Sequence, residues 1–190
     1  MDATVEELLH FWLEEVGPEG WYKVDPGLDA GIRDRWGALW DVGRTGGLAD
    51  WKAQARSTLA LLILLDQFPR NMFRGDGRAF ASDRVALQTA KVAVLHGRDQ
   101  RVGLPERQFF FLPLMHSEVL TNQDKSVRLF LTNFGREDGH VRHAVAHREV
   151  IRRFGRFPYR NAALGRTSTP AEEAFLAAGG YPALLKEMAA

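Results

Sequence analysis

The sequence predicts an all-α protein built from antiparallel helix hairpins. Apolar residues recur at helical spacing through most of the chain, and helix-capping signals precede these segments. Alternating runs of valine, isoleucine and threonine, which are typical of strands, are missing. Two runs, residues 59–65 and 109–115, are apolar on every side and are therefore predicted to lie in the core. We predict about eight helices, paired so that each pair buries its apolar face against its neighbours.

The first three predicted helices occupy the N-terminal third of the chain. Thr4 and Glu7 form a capping box before the first helix. Asp25-Pro26 begins the second, and Asp50 is placed to cap the third. Phe68-Pro69 is predicted to end the third helix, because a residue before proline disfavours the α conformation. The second helix carries one apolar stripe, formed by Leu28, Ile32, Trp36, Leu39 and Trp40.

Two helices are predicted in the middle of the chain, after a loop rich in glycine and arginine. Ser82 or Asp83 caps the first of them, and Gly97 ends it. Pro105 begins the second. Pro113 is expected to kink this helix, because the proline ring displaces a backbone hydrogen bond.

The last part of the chain is predicted to form three helices. Two of them cover about residues 121–134 and 138–154, and Gly155 ends the latter. A capping box with proline in the first helical position, Thr169-Pro170-Ala171-Glu172, opens the terminal helix.

One helical domain over residues 1–190 is predicted, because a chain of this length suits a single hydrophobic core. Within it, the string DQFPRN at 66–71, the first corner, resembles GRFPYRN at 155–161, the second corner. Each corner follows an apolar helical segment and precedes a capped helix. We interpret the two corners as the centres of two weakly duplicated halves.

The composition suits a cytoplasmic protein. Cysteine is missing, which excludes disulfides and thiolate chemistry. The start of the chain lacks the basic region of a secretory leader, and the longest apolar runs are too short to cross a bilayer. The sequence therefore predicts a soluble, cytoplasmic protein with no membrane partner.

Charge is unevenly distributed along the chain although the net charge is only +1. Residues 1–41 hold ten acidic and three basic residues, whereas residues 140–166 hold seven arginines and one glutamate. The basic segment is suited to attract anions, or alternatively to pack as a solvated helix face against the acidic one. The nearly neutral total charge and the lack of a known binding module argue against nucleic acid as a partner.

Both corners place arginine beside asparagine at a predicted helix end. Arginine offers a planar fork of donors suited to carboxylate or phosphate, and asparagine adds a donor and an acceptor. Helix termination is the alternative interpretation, although a helix end does not require an Arg-Asn pair twice. The predicted ligand-binding residues are Asp66, Gln67, Arg70, Asn71, Arg74, Arg156, Arg160, Asn161 and Arg166.

The candidate catalytic residues are His116 and Glu118, which follow the second fully apolar run. His116 has the chemistry of a general acid or base, and Glu118 that of its orienting partner or of an independent carboxylate. Neighbouring positions on a helix point in different directions, so further partners must come from elsewhere in the chain. A hydrogen-bonded structural histidine near the core is the alternative.

His140, His143 and His147 share one helical face, and the i,i+4 pair of His143 and His147 has the spacing of metal ligands. The HExxH motif is absent and a third ligand has to be assumed, so no metal or other cofactor is predicted and metal dependence stays open. An exposed histidine-arginine face explains the spacing equally well. Nucleotide-binding and serine-nucleophile motifs are also missing from the sequence.

Several short motifs spread over nearly the whole chain form a specific set. They are Phe11-Trp12, 66–71, Phe80 with Asp83, 112–118, Gln123, His147-Arg148, 155–161 and Leu164-Gly165-Arg166. By this set the chain resembles a mainly bacterial, uncharacterised family known as domain of unknown function 924, which usually has histidine where this chain has Tyr159. The resemblance implies a tetratricopeptide-like fold, hence a right-handed helical array, and it implies no established activity.

Three functional hypotheses follow from these residues. In the first, both corners together with His116 and Glu118 surround one polar pocket that binds a small anion, a carboxylate-bearing ligand or a peptide. The second is an enzyme, for example a hydrolase, that uses His116 and Glu118 as acid-base groups while arginines hold the substrate charge. In the third, the protein is an interaction scaffold whose corners serve only stability. The sequence leaves the oligomeric state open.

Overall fold

The computed structural model describes residues 2–188, and in that range the regular structure is helical, without a strand. The all-α prediction is thereby confirmed, while the tetratricopeptide-like arrangement and the duplication stay predictions. Two compact units divide the chain. The N-terminal unit holds the residues up to Arg74 together with Arg78–Phe110, and the C-terminal unit holds Gly75–Gly77 and the chain from Phe111 onward. Among the described residues, no helix has both the length and the apolar character needed to span a bilayer.

Six α-helices, linked by π-helical and 3-10 segments, form the N-terminal unit. The α-helices are α1 (Ala3–His10), α2 (Gly17–Gly20), α3 (Pro26–Arg44), α4 (Ala55–Leu62), α5 (Phe68–Met72) and α6 (Asp83–Leu95). The π-helical segments are Phe11–Val16 and Ile63–Gln67, and the 3-10 turns are Ala49–Lys52, Gly77–Phe80, Asp99–Arg101 and Glu106–Phe110.

Helix α3 forms as its sequence predicts. The Asp25 carboxylate accepts hydrogen bonds from the backbone N–H groups of Gly27 and Leu28, which have no partner within the helix. Pro26 occupies the first turn, where its missing N–H costs nothing. The predicted stripe is largely confirmed, because Ile32, Trp36 and Trp40 are buried.

The predicted helix end at Phe68-Pro69 is wrong. The chain passes from α4 through the π-helical segment Ile63–Gln67 directly into α5, and Phe68 keeps helical angles, φ −56° and ψ −42°. Pro69 has no N–H to give to the Leu65 carbonyl four residues earlier. The Ser82 hydroxyl supplies that hydrogen bond instead, at 2.6 Å. A distant side chain therefore allows the helix to continue past the proline.

Replacing Ser82 by alanine is expected to lower the free energy of unfolding by about 2 kcal/mol. Ser82 is fully buried, and its hydroxyl accepts from the Trp40 indole at 2.9 Å while it donates to Leu65. The substitution leaves both groups buried without this partner. Urea unfolding measures the loss, with Ser57→Ala as the control because the Ser57 hydroxyl bonds only at the surface. Equal stability of the two variants would contradict this role of Ser82.

Two predicted helix starts are also wrong. Asp2, and not Thr4, caps α1, because the Asp2 carboxylate accepts from the backbone N–H of Thr4. Asp50 lies in a 3-10 turn, and α4 begins later, at Ala55, without a side-chain cap. Both sites contain several capping residues close together, and the packing of the chain selects among them.

The two apolar runs are buried as predicted. Every residue of 59–65 is at most 2% exposed, and the N-terminal unit builds its core around this segment with the aromatic rings of Trp12, Phe68 and Phe109. Residues 109–115 do not form one kinked helix, however. A 3-10 turn covers Glu106–Phe110, and a separate short helix begins at Leu112 with Pro113 in its first turn. Proline therefore starts a helix here because its fixed φ suits that position.

The C-terminal unit contains the remaining helices. The boundaries predicted for 121–134 and 138–154 and the start predicted at Pro170 are confirmed within two residues, whereas the chain from there on forms two helices and not one. Its elements are α7 (Leu112–Met115), α8 (Leu120–Phe134), α9 (Gly139–Phe154), a 3-10 turn (Pro158–Arg160), α10 (Pro170–Ala177) and α11 (Gly180–Glu187). Helices α8 and α9 pack together as a hairpin. Gly155 ends α9 with a left-handed φ of 68°, and Thr169 and Glu172 form the predicted capping box.

Candidate functional site

The first corner lies in the N-terminal unit and binds carboxylates of that unit. Asp66 is buried at the end of the π-helical segment, and the Gln67 amide donates to its carboxylate at 2.5 Å. Arg70 lies one turn further on, with its guanidinium 3.4 Å from the Asp66 carboxylate and 3.0 Å from that of Asp83. A buried carboxylate needs such partners, because burial without them is costly.

The other two predicted residues of the first corner meet at Asp29. The Asn71 amide donates to one carboxylate oxygen of Asp29 at 2.8 Å, and the Arg74 guanidinium bonds both oxygens. Asp29 is only 7% exposed. Sequence reasoning missed Asp29, although it lies three residues before Ile32 and therefore on the buried side of α3.

The second corner repeats this chemistry in the C-terminal unit with Glu172. The Arg156 guanidinium bonds both oxygens of Glu172, at 2.6 and 2.7 Å, and the Asn161 amide lies 3.4 Å from one of them. Glu172 is 2% exposed. The two corners differ in backbone conformation, because Phe157 is extended whereas Phe68 is helical. At or just beside each corner, an arginine and an asparagine nevertheless contact the same buried carboxylate.

The stability difference between wild type and Glu172→Gln is expected to depend on pH. The Arg156 guanidinium, helped by the Thr169 N–H, lowers the pKa of Glu172 from 4.5 to about 2. A carboxyl group with a lower pKa in the folded state contributes stability above pH 4.5, and this contribution is lost as the pH falls towards 2. Urea unfolding of both proteins along a pH series checks this. A difference that stays constant in the acid range would contradict it.

The candidate catalytic residue Glu118 is held by two donors of the C-terminal unit. Arg166 and the backbone N–H of Phe157 each donate to the same Glu118 oxygen at 2.9 Å. Burial raises the pKa of Glu118, but these two donors outweigh it and the pKa is lowered overall. Glu118 is therefore suited to accept hydrogen bonds and unsuited to donate a proton near neutral pH. The acid-base role of His116 stays a prediction.

Much of the basic segment 140–166 pairs with acidic residues of the same unit. Besides the pairs of the second corner, Arg148 lies 3.6 Å from Asp124, and Glu149 pairs with two arginines one turn away. The predicted ligand-binding residues that contact carboxylates of the protein itself are Gln67, Arg70, Asn71, Arg74, Arg156, Asn161 and Arg166. Binding of a ligand by the corners stays a prediction.

A different arrangement surrounds His147, on α9. A cleft of about 450 Å³ lies beside this ring and is lined by His147, Tyr159, Leu176, Gly179, Gly180, Tyr181 and Pro182. Gly179 and Gly180 have φ values of 97° and 56°, which the chain needs to turn from α10 into α11 at this cleft. The cleft walls are therefore mostly aromatic and apolar, with one imidazole among them.

The tautomer of His147 follows from its hydrogen bond. Nδ1 lies 2.9 Å from the backbone carbonyl oxygen of His143, and because a carbonyl only accepts, Nδ1 carries the proton. Nε2 is then an acceptor, and it bonds to no group of residues 2–188. Burial, followed by the positive charges of His116 and Arg160, lowers the pKa of His147 to about 3. The ring is therefore neutral near pH 7.

Aromatic rings fix the position of this imidazole. The ring of Tyr181 lies 4.6 Å from that of His147, and its hydroxyl is 2.6 Å from Nδ1 of His143. Phe157 packs edge-on against His147 at 5.5 Å and carries the Arg160 guanidinium 4.5 Å above its face. The ring of His116 is 6.2 Å away. Sequence reasoning missed Tyr181, since a single tyrosine after Gly-Gly gives no signal by itself.

The two histidines considered for metal binding, His143 and His147, make hydrogen bonds within the chain. Nδ1 of His143 and Nδ1 of His147 are both engaged in the hydrogen bonds described above. Across residues 2–188, no group of three histidine, aspartate or glutamate side chains is arranged to hold a metal ion.

The fold and these sites define an all-α protein with two arginine-asparagine corners, each around a buried carboxylate, and a histidine-aromatic cleft. The model of a family described as bacterial protein of unknown function, DUF924, matches residues 8–180, and the chain belongs to this family. The predicted resemblance is thereby confirmed. None of the curated proteins compared with the chain matches it.

A solved structure supports the same membership. The chain is similar to a protein of unknown function from Agrobacterium tumefaciens, with 37% sequence identity and a TM-score of 0.86. The similarity covers 92% of this chain and 97% of the Agrobacterium protein.

Proposed function

We propose that the protein binds a small carboxylate-bearing ligand, such as a peptide C-terminus, in the cleft beside His147. The observation that carries this proposal is the neutral imidazole at the cleft wall, whose Nε2 is an acceptor with no bond to residues 2–188. A ligand N–H or O–H group is its natural partner. The arginines of the corners are not required for this binding, because most of them hold carboxylates of the chain.

The walls of the cleft favour a ligand with an apolar or aromatic part. Tyr159 is 40% exposed, and its ring lies 6.2 Å from that of Tyr181. Leu176 and Pro182 also line the cleft. A planar or aliphatic side chain that enters here exchanges water for contact with these rings, which is favourable because apolar surface is removed from water.

The charges around His147 favour an anionic ligand. Arg160 carries a permanent positive charge that lowers the pKa of His147. Glu118, whose pKa Arg160 also lowers, is bound by Arg166 and the Phe157 N–H. We expect a ligand carboxylate beside His147 to gain from the Arg160 charge, which makes its binding sensitive to salt.

N-Acetylphenylalanine tests this proposal because it combines an aromatic ring, an amide N–H and a carboxylate. Isothermal titration is expected to show saturable binding, about fivefold weaker for His147→Gln and for Tyr159→Ala, since each loses about 1 kcal/mol of contact. The exposed His96 gives the control, His96→Gln, which should bind as wild type does. N-Acetylphenylalanine amide, which lacks the charge, should bind more weakly than the acid.

Two results would overturn the proposal. One is equal affinity of wild type, His147→Gln and Tyr159→Ala for the ligand. The other is equal affinity for the acid and its amide, which would remove the anionic part of the proposal. Thermal unfolding of each variant without ligand separates a loss of binding from a loss of folding.

A further inference from the structure

We infer that His143 makes the cleft beside His147 sensitive to pH, so that a carboxylate ligand binds more tightly when the His143 imidazole is protonated. This regulation rests on the proposed function, because it concerns the ligand of the same cleft. His143 lies on α9, one turn before His147, and its side chain is exposed. Histidine is the side chain that ordinarily gains its proton in the range between about pH 8 and pH 5. A fall in pH therefore adds a positive charge next to the cleft.

Tyr181 connects this imidazole to the cleft. The Tyr181 hydroxyl is 2.6 Å from Nδ1 of His143, and the two rings lie 6.0 Å apart at an angle of 29°. The same Tyr181 ring lines the cleft and lies 4.6 Å from the ring of His147. Within residues 2–188, Nδ1 of His143 is the only hydrogen-bond partner of this hydroxyl. In the neutral pair the hydroxyl therefore donates to Nδ1, and Nε2 carries the imidazole proton.

Protonation of His143 reverses this hydrogen bond. Both nitrogens of an imidazolium are donors, so Nδ1–H then donates to the Tyr181 oxygen. Burial raises the pKa of Tyr181, so its hydroxyl keeps its own proton and needs a new acceptor. The carboxylate of a ligand in the cleft is such an acceptor. The ligand thus gains a hydrogen-bond donor in Tyr181 and a positive charge in His143, and both favour an anion.

The charge of His143 reaches the cleft wall, because a positive His143 lowers the pKa of His147. His147 itself, with a pKa of about 3, stays neutral between pH 8 and pH 5. Glu118, whose pKa is lowered, stays ionised over the same range. These two groups of the site therefore do not change their charge when His143 does.

The other titratable and charged groups around His143 lie on four helices. Burial, followed by the charges of His140 and Arg142, lowers the pKa of His143 from 6.5, so the positive form appears below pH 6.5. Besides these two and His147 on α9, the groups are Tyr181 on α11, Asp124 on α8, which pairs with Arg148, and His116 after α7, whose ring lies beside that of His147. A variant of His143 is needed to separate its titration from that of the other histidines.

Isothermal titration with N-acetylphenylalanine at pH 8 and pH 5 tests this regulation. The ligand carboxyl group, with an ordinary pKa of about 3.5, is ionised at both pH values. The affinity of wild type should rise about threefold from pH 8 to pH 5, an effect typical of one partly exposed charge pair. His143→Gln gains no charge, so its affinity at the two pH values should be equal. His96→Gln, at an exposed position of the N-terminal unit, is the matched control and should keep the threefold rise.

Nuclear magnetic resonance of the His143 ring gives a second measurement. If protonation strengthens ligand binding, the ligand must favour the protonated ring to the same extent, so saturation with N-acetylphenylalanine should raise the pKa of His143. The uncharged N-acetylphenylalanine amide should leave this pKa unchanged. Thermal unfolding of each variant at both pH values, without ligand, separates a change in binding from a loss of folding.

The outcomes distinguish this regulation from the proposed function. Saturable binding with the same affinity at pH 8 and pH 5 would overturn the regulation and leave the proposed function standing. An equal rise in wild type and His143→Gln would also overturn it, because another group would then be the one that titrates. The same holds if the ligand leaves the pKa of His143 unchanged. Absence of saturable binding at both pH values would overturn the proposed function and the regulation together.

Discussion

Replacing Glu172 by alanine is expected to lower the free energy of unfolding by about 3 kcal/mol. The substitution removes a buried carboxylate that Arg156 holds with two hydrogen bonds, and breaking a buried pair from one side costs about 3–5 kcal/mol. It also removes the capping box of α10, worth about 1 kcal/mol. The partial exposure of Arg156 reduces the total, because its guanidinium regains water.

Glu173→Ala is the matched control for this prediction. Glu173 is the next residue of the same helix, it is exposed, and it shares the helix propensity of Glu172. Urea unfolding should therefore give a small change for Glu173→Ala and a large one for Glu172→Ala. Comparable losses in the two variants would show that the second corner contributes no specific stability.

Replacing Asp29 by alanine is expected to cost about 2–3 kcal/mol in the N-terminal unit. Asp29 receives both the Asn71 amide and the Arg74 guanidinium, and the amide is left buried without this partner after the substitution. Asp34→Ala, at an exposed position of the same helix, is the control and should cost less than about 0.5 kcal/mol.

A double-mutant cycle makes this prediction specific. Asp29→Ala and Arg74→Met, made singly and together, should show a coupling free energy of about 1–2 kcal/mol. Additive losses would mean that the contact between Asp29 and Arg74 adds nothing to the stability of the first corner.

These two predictions bear on the scaffold hypothesis, in which the corners serve only stability. Both corners bind carboxylates of their own unit, at Asp29, Asp66 and Glu172. The proposal about a ligand therefore has to use another group, and His147 is the group that it uses. Large losses of stability in the corner variants, together with unchanged ligand binding, would separate the two roles.

Local signals in the sequence predicted the helix boundaries that depend on local physics. Asp25 and Thr169 cap the helices that follow them, and Gly155 ends α9, because each acts on backbone groups within a few residues. The predicted helix end at Phe68-Pro69 is wrong because a distant group decides the outcome. The chain continues as a helix at Pro69 because the Ser82 hydroxyl replaces the missing hydrogen bond.

In the candidate site, too, the chemistry of each residue type could be predicted from the sequence, whereas its partners could not. The arginine-asparagine pairs indicated groups suited to carboxylates, since the donor geometry of these side chains belongs to the residue type. Which carboxylates they bind depends on contacts between residues far apart in the sequence, such as Asn71 with Asp29.

The sequence by itself determined the all-α class, the buried apolar runs, the caps at Asp25, Gly155 and Thr169, and the family, because periodicity, capping and motifs are read along the chain. Only the tertiary structure decided that the corner arginines hold internal carboxylates and that His147 lines a cleft together with Tyr181. The physical reason is that pairing and burial of polar groups depend on distances through space, and a sequence pattern states only distances along the chain.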